Sequence, residues 1–198
     1  MAAEPGRRGA GSRPQECVLG ERPLAIMKFR SLSLAALCAA ALGVAPAHAD
    51  ELFGGIYAHD VRIIAVGSPE HGPDFQLGWR GRNILRALGS PQPHVLVSIN
   101  ADGGTHFAAA GLSWKFGDQL YIRPGIGLAV HSGPGYPPPD RFWFNSRILF
   151  EPEIGLGVRL APRLTVEASW VHLSHGRLRG SQNPGLDTVG VRFNYRFR

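Results

Sequence analysis

From residue 51 onward the chain alternates with period two in long runs, and the two sides of the alternation differ in kind. Over 145–160, Ile148, Phe150, Ile154, Leu156, Val158 and Leu160 share one parity, while Arg147, Glu151, Glu153, Gly155, Gly157 and Arg159 share the other. Residues i and i+2 of a strand lie on one face, so this is a strand with an apolar side and a side of paired charges and glycines. The same pattern recurs over 118–130, where Leu120, Ile122, Ile126, Leu128 and Val130 alternate with Tyr121, Arg123, Gly125 and Gly127. It recurs over 105–116 (Leu112, Trp114, Phe116) and at the end of the chain (Val189, Val191, Phe193, Tyr195, Phe197). In a soluble sandwich the apolar side would face a core and the charged side would face water. Arg and Glu interleaved with glycine instead suit a narrow lumen filled by ion pairs and small residues, with the apolar side against lipid. Several runs reach 11–16 residues, above the ~9–11 needed to cross a tilted membrane wall.

A further clear run over 163–175 and weaker ones over 51–64, 74–83 and 93–101 bring the count to eight, separated by turn signals at 102–104 (Asp-Gly-Gly), 117–118 (Gly-Asp) and 161–162 (Ala-Pro). An even number of antiparallel strands can close on itself and leave no unpaired edge. The reading is therefore all-β, an eight-stranded antiparallel transmembrane β-barrel, with a soluble sandwich or lipocalin-like barrel as the alternatives. Pro124 and Pro152 fall inside strands, where each removes a ladder hydrogen bond and marks a place for a bulge.

The barrel reading begins near Asp50. From Met27 the sequence "MKFRSLSLAALCAAALGVAPAHAD" places Lys28 and Arg30 before an apolar run and the small residues Ala47 and Ala49 before Asp50, the pattern of a signal peptide over 27–49. Residues 1–26 carry three acids and four arginines without apolar periodicity and read as an over-extended or disordered leader, leaving 50–198 as the barrel domain. That part holds 15 Lys and Arg against 12 Asp and Glu, with no basic stripe of the kind nucleic acid requires. Cys17 and Cys38 both precede it, so it has neither disulfides nor thiol chemistry.

Three polar residues occupy the apolar face near the C-terminus. His172 and Ser174 share parity with Leu164, Val166, Ala168 and Trp170, and Asp187 shares parity with Val189, Val191 and Phe193. On a barrel all three point outward. With both termini periplasmic they gather near the outer leaflet, where the connection over 176–184 is extracellular. Residues i and i+2 lie ~6.6 Å apart along a strand and cross-strand neighbours ~5 Å apart, so a serine, an imidazole and a carboxylate can meet as nucleophile, base and orienting acid. Spacing alone equally fits polar residues that are simply common near a membrane interface.

The stretch "HLSHGRLRGSQNPGLDTVGVRFNYRF" resembles the C-terminal segment of the lipid A 3-O-deacylases, the PagL-type outer-membrane enzymes. There a His-x-Ser motif is followed by a short loop, Asn-x-Gly-x-acid and an aromatic-rich closing strand. The specific match spans about 26 residues, carried by His172-x-Ser174 and Asn183-Pro184-Gly185-x-Asp187. The resemblance implies Ser174 as nucleophile, His172 as general base, Asp187 as orienting acid, and Asn183 as a positioning or oxyanion residue beside the backbone of His175 and Gly176. It implies lipid A of lipopolysaccharide as substrate and the outer membrane as location, and it calls for no cofactor and no metal. Two departures stand out: the family acid is often Glu, and His175 stands where the family commonly has Asn.

Trp170, Arg177 and Arg179 are candidate substrate contacts, the arginines toward lipid A phosphates. Tyr136, Phe142, Trp143 and Phe144 read as interfacial aromatic anchors or as an acyl-chain grip. His131, His172 and His175 lack the carboxylate or cysteine spacing of a metal site. A second copy of the chain is retained as a candidate partner. The competing functional readings are a non-enzymatic structural or adhesion barrel and a phospholipid acyl hydrolase of the same architecture.

Overall fold

The computed structural model describes residues 51–65, 70–134, 143–178 and 184–197; the leader and signal segments expected over 1–49 lie outside them. Nine strand segments run β1 (Glu51–Ala58), β2 (Pro73–Arg80), β3 (Gln92–Asn100), β4 (Phe107–Ser113), β5 (Phe116–Gly117), β6 (Leu120–His131), β7 (Ile148–Ala161), β8 (Leu164–Leu173) and β9 (Leu186–Arg196). Consecutive segments pair antiparallel except β4 with β5; β1 also pairs with β9, and β4 with β6, which closes the ring. β4 and β5 are one wall strand, since Ser113 faces Gly125 and Phe116 faces Ile122 in a single register. The architecture is the closed eight-stranded antiparallel barrel expected from the alternation.

The break between β4 and β5 has a chemical cause. Trp114 N donates to Pro124 O at 2.9 Å, but Pro124 has no N–H to return the bond, so the ladder lapses for two residues. Pro152 acts likewise. The β7–β8 ladder stops at Glu153 facing Val171 and resumes only where Phe150 bridges Ser174, because the intervening pair would need an N–H from Pro152 to the carbonyl of His172. Neither proline makes a bulge, contrary to expectation. The register shift lies at the far end of the same hairpin, between Arg159 and Ala161.

Facing is decided by exposure. On β7, Leu156 is 60% exposed while Glu153 is 3% exposed, so the apolar parity points out. The lumen holds Arg80, Arg123 and Arg192 against Glu51, Glu153 and Glu167, all buried. Arg192 Nη1 lies 2.8 Å from Glu153 and its Nε donates to Glu167 at 2.7 Å. Arg80 reaches Glu153 at 3.1 Å, Arg123 reaches Glu51 at 3.1 Å, and the Arg80 guanidinium sits 4.1 Å over the Phe53 ring. These three arginines and three glutamates pair off, as low-dielectric burial demands, and Glu151, also buried, meets His94 at 3.4 Å. The glycines on this face make room for them. A Cβ at Gly155 would overlap the Glu167 carboxylate, and one at Gly157 the Tyr121 phenol.

Two elements differ from the sequence reading. The strand expected over 51–64 ends at Ala58, and Asp60 adopts a left-handed conformation (φ 53°) that turns the chain out of the wall. Phe144, expected among interfacial aromatics, is instead fully buried and meets the His131 ring edge-on at 4.6 Å; Tyr136 and Phe142 lie outside the described residues.

Candidate active site

β8 and β9 pair so that His172 lies directly opposite Asp187, and Trp170 opposite Val189. Their inner-face neighbours Val171, Leu173 and Leu186 are fully buried, which fixes His172 and Asp187 on the outer wall. There they form a bond: His172 Nδ1 to Asp187 Oδ1 is 2.7 Å, a charge-assisted length. The same oxygen accepts from Trp170 Nε1 at 2.9 Å, and the indole stacks on the imidazole with centroids 5.8 Å apart at 29°.

The other carboxylate oxygen is held by backbone alone. Ile63 N, Ile64 N and Ala65 N donate to Asp187 Oδ2 at 3.1, 2.7 and 2.7 Å. This segment arrives there because β9 outruns β1. The last β1–β9 pair is Ala58 with Val189, and the chain, redirected at Asp60, folds across the exposed end of β9, with Val61 N donating to Asp187 O at 2.9 Å. Three successive N–H groups turned on one oxygen make an anion-binding nest. Asp187 is thereby wholly buried on the outside of a membrane barrel, with five donors and no acceptor among these contacts.

Gly185 is required where it stands. It has φ 66°, and a Cβ there would sit 2.9 Å from His172 Cε1; only glycine meets both conditions.

Ser174 lies two residues beyond His172 on the same strand line. Its backbone exchanges hydrogen bonds with Phe150 (2.7 and 3.2 Å), so the chain there is fixed by the ladder and not by the hydroxyl. Among the described residues no hydrogen bond joins Ser174 Oγ to His172. His175 is buried, and Gly176 and Arg177 follow it in left-handed conformations (φ 57° and 62°). Arg177 is exposed. Asn183 and Arg179 lie outside the described residues. Trp170, expected to touch substrate, spends its N–H on Asp187. The sequence reading missed residues 61–65 altogether: their contribution is backbone N–H, which no side-chain pattern advertises.

Fold and site together define a class: an outer-membrane-type β-barrel whose lipid-facing wall carries an oriented imidazole–carboxylate pair beside a serine. The profile of the lipid A 3-O-deacylase (PagL) family matches residues 70–196, and the chain belongs to that family. The lipid A deacylase PagL of Bordetella bronchiseptica is 32% identical over 84 residues, which is 42% of this chain and 45% of that protein; the match thus spans less than half of the relative's length. The crystal structure of the outer membrane enzyme PagL superimposes with a TM-score of 0.54 at 18% identity, covering 73% of this chain and 98% of that one, which shows the shared fold.

Proposed function

We propose that the protein is a serine esterase of the outer membrane that removes an ester-linked acyl chain from lipid A, at the 3-O position. The observation that carries this reading is the 2.7 Å bond between His172 and Asp187 on the lipid-facing wall, where the substrate is itself a lipid. Family membership supports the substrate.

Ser174 Oγ attacks the ester carbonyl while His172 Nε2 takes its proton, and Asp187 holds the Nδ1 tautomer and stabilises the imidazolium. The tetrahedral oxyanion is met by backbone N–H groups at His175–Gly176 and by Asn183. Collapse expels the sugar hydroxyl, protonated by His172, and leaves an acyl-Ser174. Water, deprotonated by His172, then releases the fatty acid and restores the serine. Ser174 stands one strand repeat, ~6.6 Å along the backbone, from His172, and nucleophile–base bonds of this kind often close only with substrate bound. Arg177 and Arg179 supply cations for the lipid A phosphates.

The test is mass spectrometry of lipid A from cells making the protein or its Ser174→Ala form. Loss of one acyl chain with the first and not with the second is expected, both barrels keeping the compact electrophoretic mobility of unheated samples. A folded Ser174→Ala protein that still deacylates refutes the serine mechanism, and release of fatty acid from phospholipid alone refutes the substrate. The reading also has 27–49 removed before Asp50, which N-terminal sequencing checks. It places 176–184 outside the cell, where a tag is reachable on intact cells and one at Ala161-Pro162 is not.

A further inference from the structure

The segment that clamps Asp187 is itself held shut from inside the barrel. His59 continues the inward parity of β1 and is buried between two carboxylates: its Nδ1 lies 2.9 and 3.0 Å from the oxygens of Asp74, its Nε2 3.1 Å from Glu70. The side chains of His59 and Asp74 are fully shielded from solvent, and that of Glu70 is 3% exposed. Both ring nitrogens face acceptors, so both bonds form only when the ring is an imidazolium. Burial works against that charge, but the hydrogen bonds to Asp74 and Glu70 outweigh it and raise the ring to about 9.

Asp74 is in turn tied to the β3 wall, and Glu70 to the connection that follows β3. Asp74, the second residue of β2, accepts from Asn100 Nδ2 at 2.9 Å and Ser98 Oγ at 3.4 Å, both on β3. Glu70 accepts from Thr105 N at 2.7 Å and Thr105 Oγ1 at 3.1 Å. His59 and Glu70 flank the connection between β1 and β2, and their contact closes it into a ring. Ile63 to Ala65, four to six residues past His59 in that connection, form the nest on Asp187. Ile63 and Ile64 themselves are more than half exposed, so side-chain burial does little to hold the segment in place.

We propose that His59, Glu70 and Asp74 form a clasp whose work is positional: by fixing both ends of the β1–β2 connection they hold the backbone nest on Asp187, and through it the His172 imidazole. The clasp rests on the reading of Asp187 as the acid of the triad. His59 lies outside the family-matched residues 70–196, so nothing in that match assigns it. Opening the clasp lets the nest swing off Oδ2, and the carboxylate, freed on one side, no longer presents a fixed acceptor to Nδ1. Misplacement of a catalytic group by about 1 Å costs on the order of a hundredfold; partial loosening is expected to cost about tenfold.

The full-length protein in detergent, with purified lipid A as substrate, provides the test. His59→Gln keeps bulk but cannot bridge two carboxylates, and Glu70→Gln keeps shape without charge. Each should lower kcat about tenfold and leave KM within about twofold, because the clasp touches no substrate. In an Asp187→Asn background, read from long incubations against a Ser174→Ala baseline, each should lower kcat less than about twofold further, because the route runs through Asp187. Wild-type kcat in both folded variants overturns the proposal, as does an equal loss in both backgrounds or a rise in KM at constant kcat. If His59→Gln fails to reach the folded mobility, Glu70→Gln decides alone; if Asp187→Asn falls to baseline, the kcat–KM split decides. An active Ser174→Ala would instead sink the triad and leave the clasp variants to be judged separately.

Discussion

Replacing Asp187 by asparagine sets two demands of the site against each other. The carboxylate receives five donors: three backbone N–H groups on Oδ2 and the Trp170 and His172 N–H groups on Oδ1. An amide has one acceptor atom and one donor atom, so it satisfies only one side. If the amide nitrogen turns to the nest, three bonds to a charged group are lost, at about 1.5–3 kcal/mol each, and N–H groups are set against N–H groups. If it turns to the imidazole, only the Trp170 bond is lost outright, because His172 can accept at Nδ1 by moving its proton to Nε2. The second orientation wins by several kcal/mol. It leaves His172 in the tautomer that cannot take a proton from Ser174. Asp187→Asn is therefore expected to fold normally and to lose about 10³–10⁴ in kcat, the scale seen when a triad acid is neutralised, or ~4–5.5 kcal/mol in the barrier. Timed deacylation by mass spectrometry, with ¹⁵N histidine spectra reporting the tautomer, reads both effects. A folded variant that keeps more than a tenth of wild-type kcat refutes the reasoning.

Trp170→Phe removes one donor from Asp187 Oδ1 and keeps an aromatic ring against His172; kcat should fall about five- to tenfold, about 1 kcal/mol in the barrier, because four of the five donors still hold the carboxylate, and an unchanged kcat would show that the nest alone orients the acid. Arg192→Met leaves Glu153 and Glu167 short of a shared cation and should cost about 3–5 kcal/mol of barrel stability, measured as a lower urea midpoint at unaltered membrane insertion. His59, whose ordinary value of 6.5 is raised to about 9 in the folded state, stabilises the fold fully below about 6.5 and loses that contribution as pH climbs to about 9. Glu70 and Asp74 are the charged groups it faces, and Asn100, Ser98 and Thr105 around them are neutral. The difference in urea midpoint between wild type and His59→Gln should accordingly shrink between pH 6 and pH 10, and a constant difference would refute the imidazolium.

Much of the architecture is a direct consequence of composition along the strands. Period-two alternation is one-dimensional information, and with Arg, Glu and Gly on one parity and Leu, Ile and Phe on the other, only a closed wall with a charged lumen satisfies both faces. Parity likewise puts His172 and Asp187 on the lipid side. Their pairing across β8 and β9 depended on register, which the apolar faces restrict to matching parity. The prolines were visible, but their effect was not: whether Pro124 or Pro152 breaks a ladder or bends a strand depends on which neighbour its missing N–H faces. The larger failure was 51–64, where apolar residues through Ile64 extend the look of a strand past its end at Ala58. What stops β1 and throws 61–65 over Asp187 is the stagger between β1 and β9, a relation between segments more than a hundred residues apart. The nest and the clasp beneath it are made of backbone N–H groups and of charges brought together only by closure. Residue identity tells which side chains can do chemistry; the closing of the barrel decides which backbone holds them still.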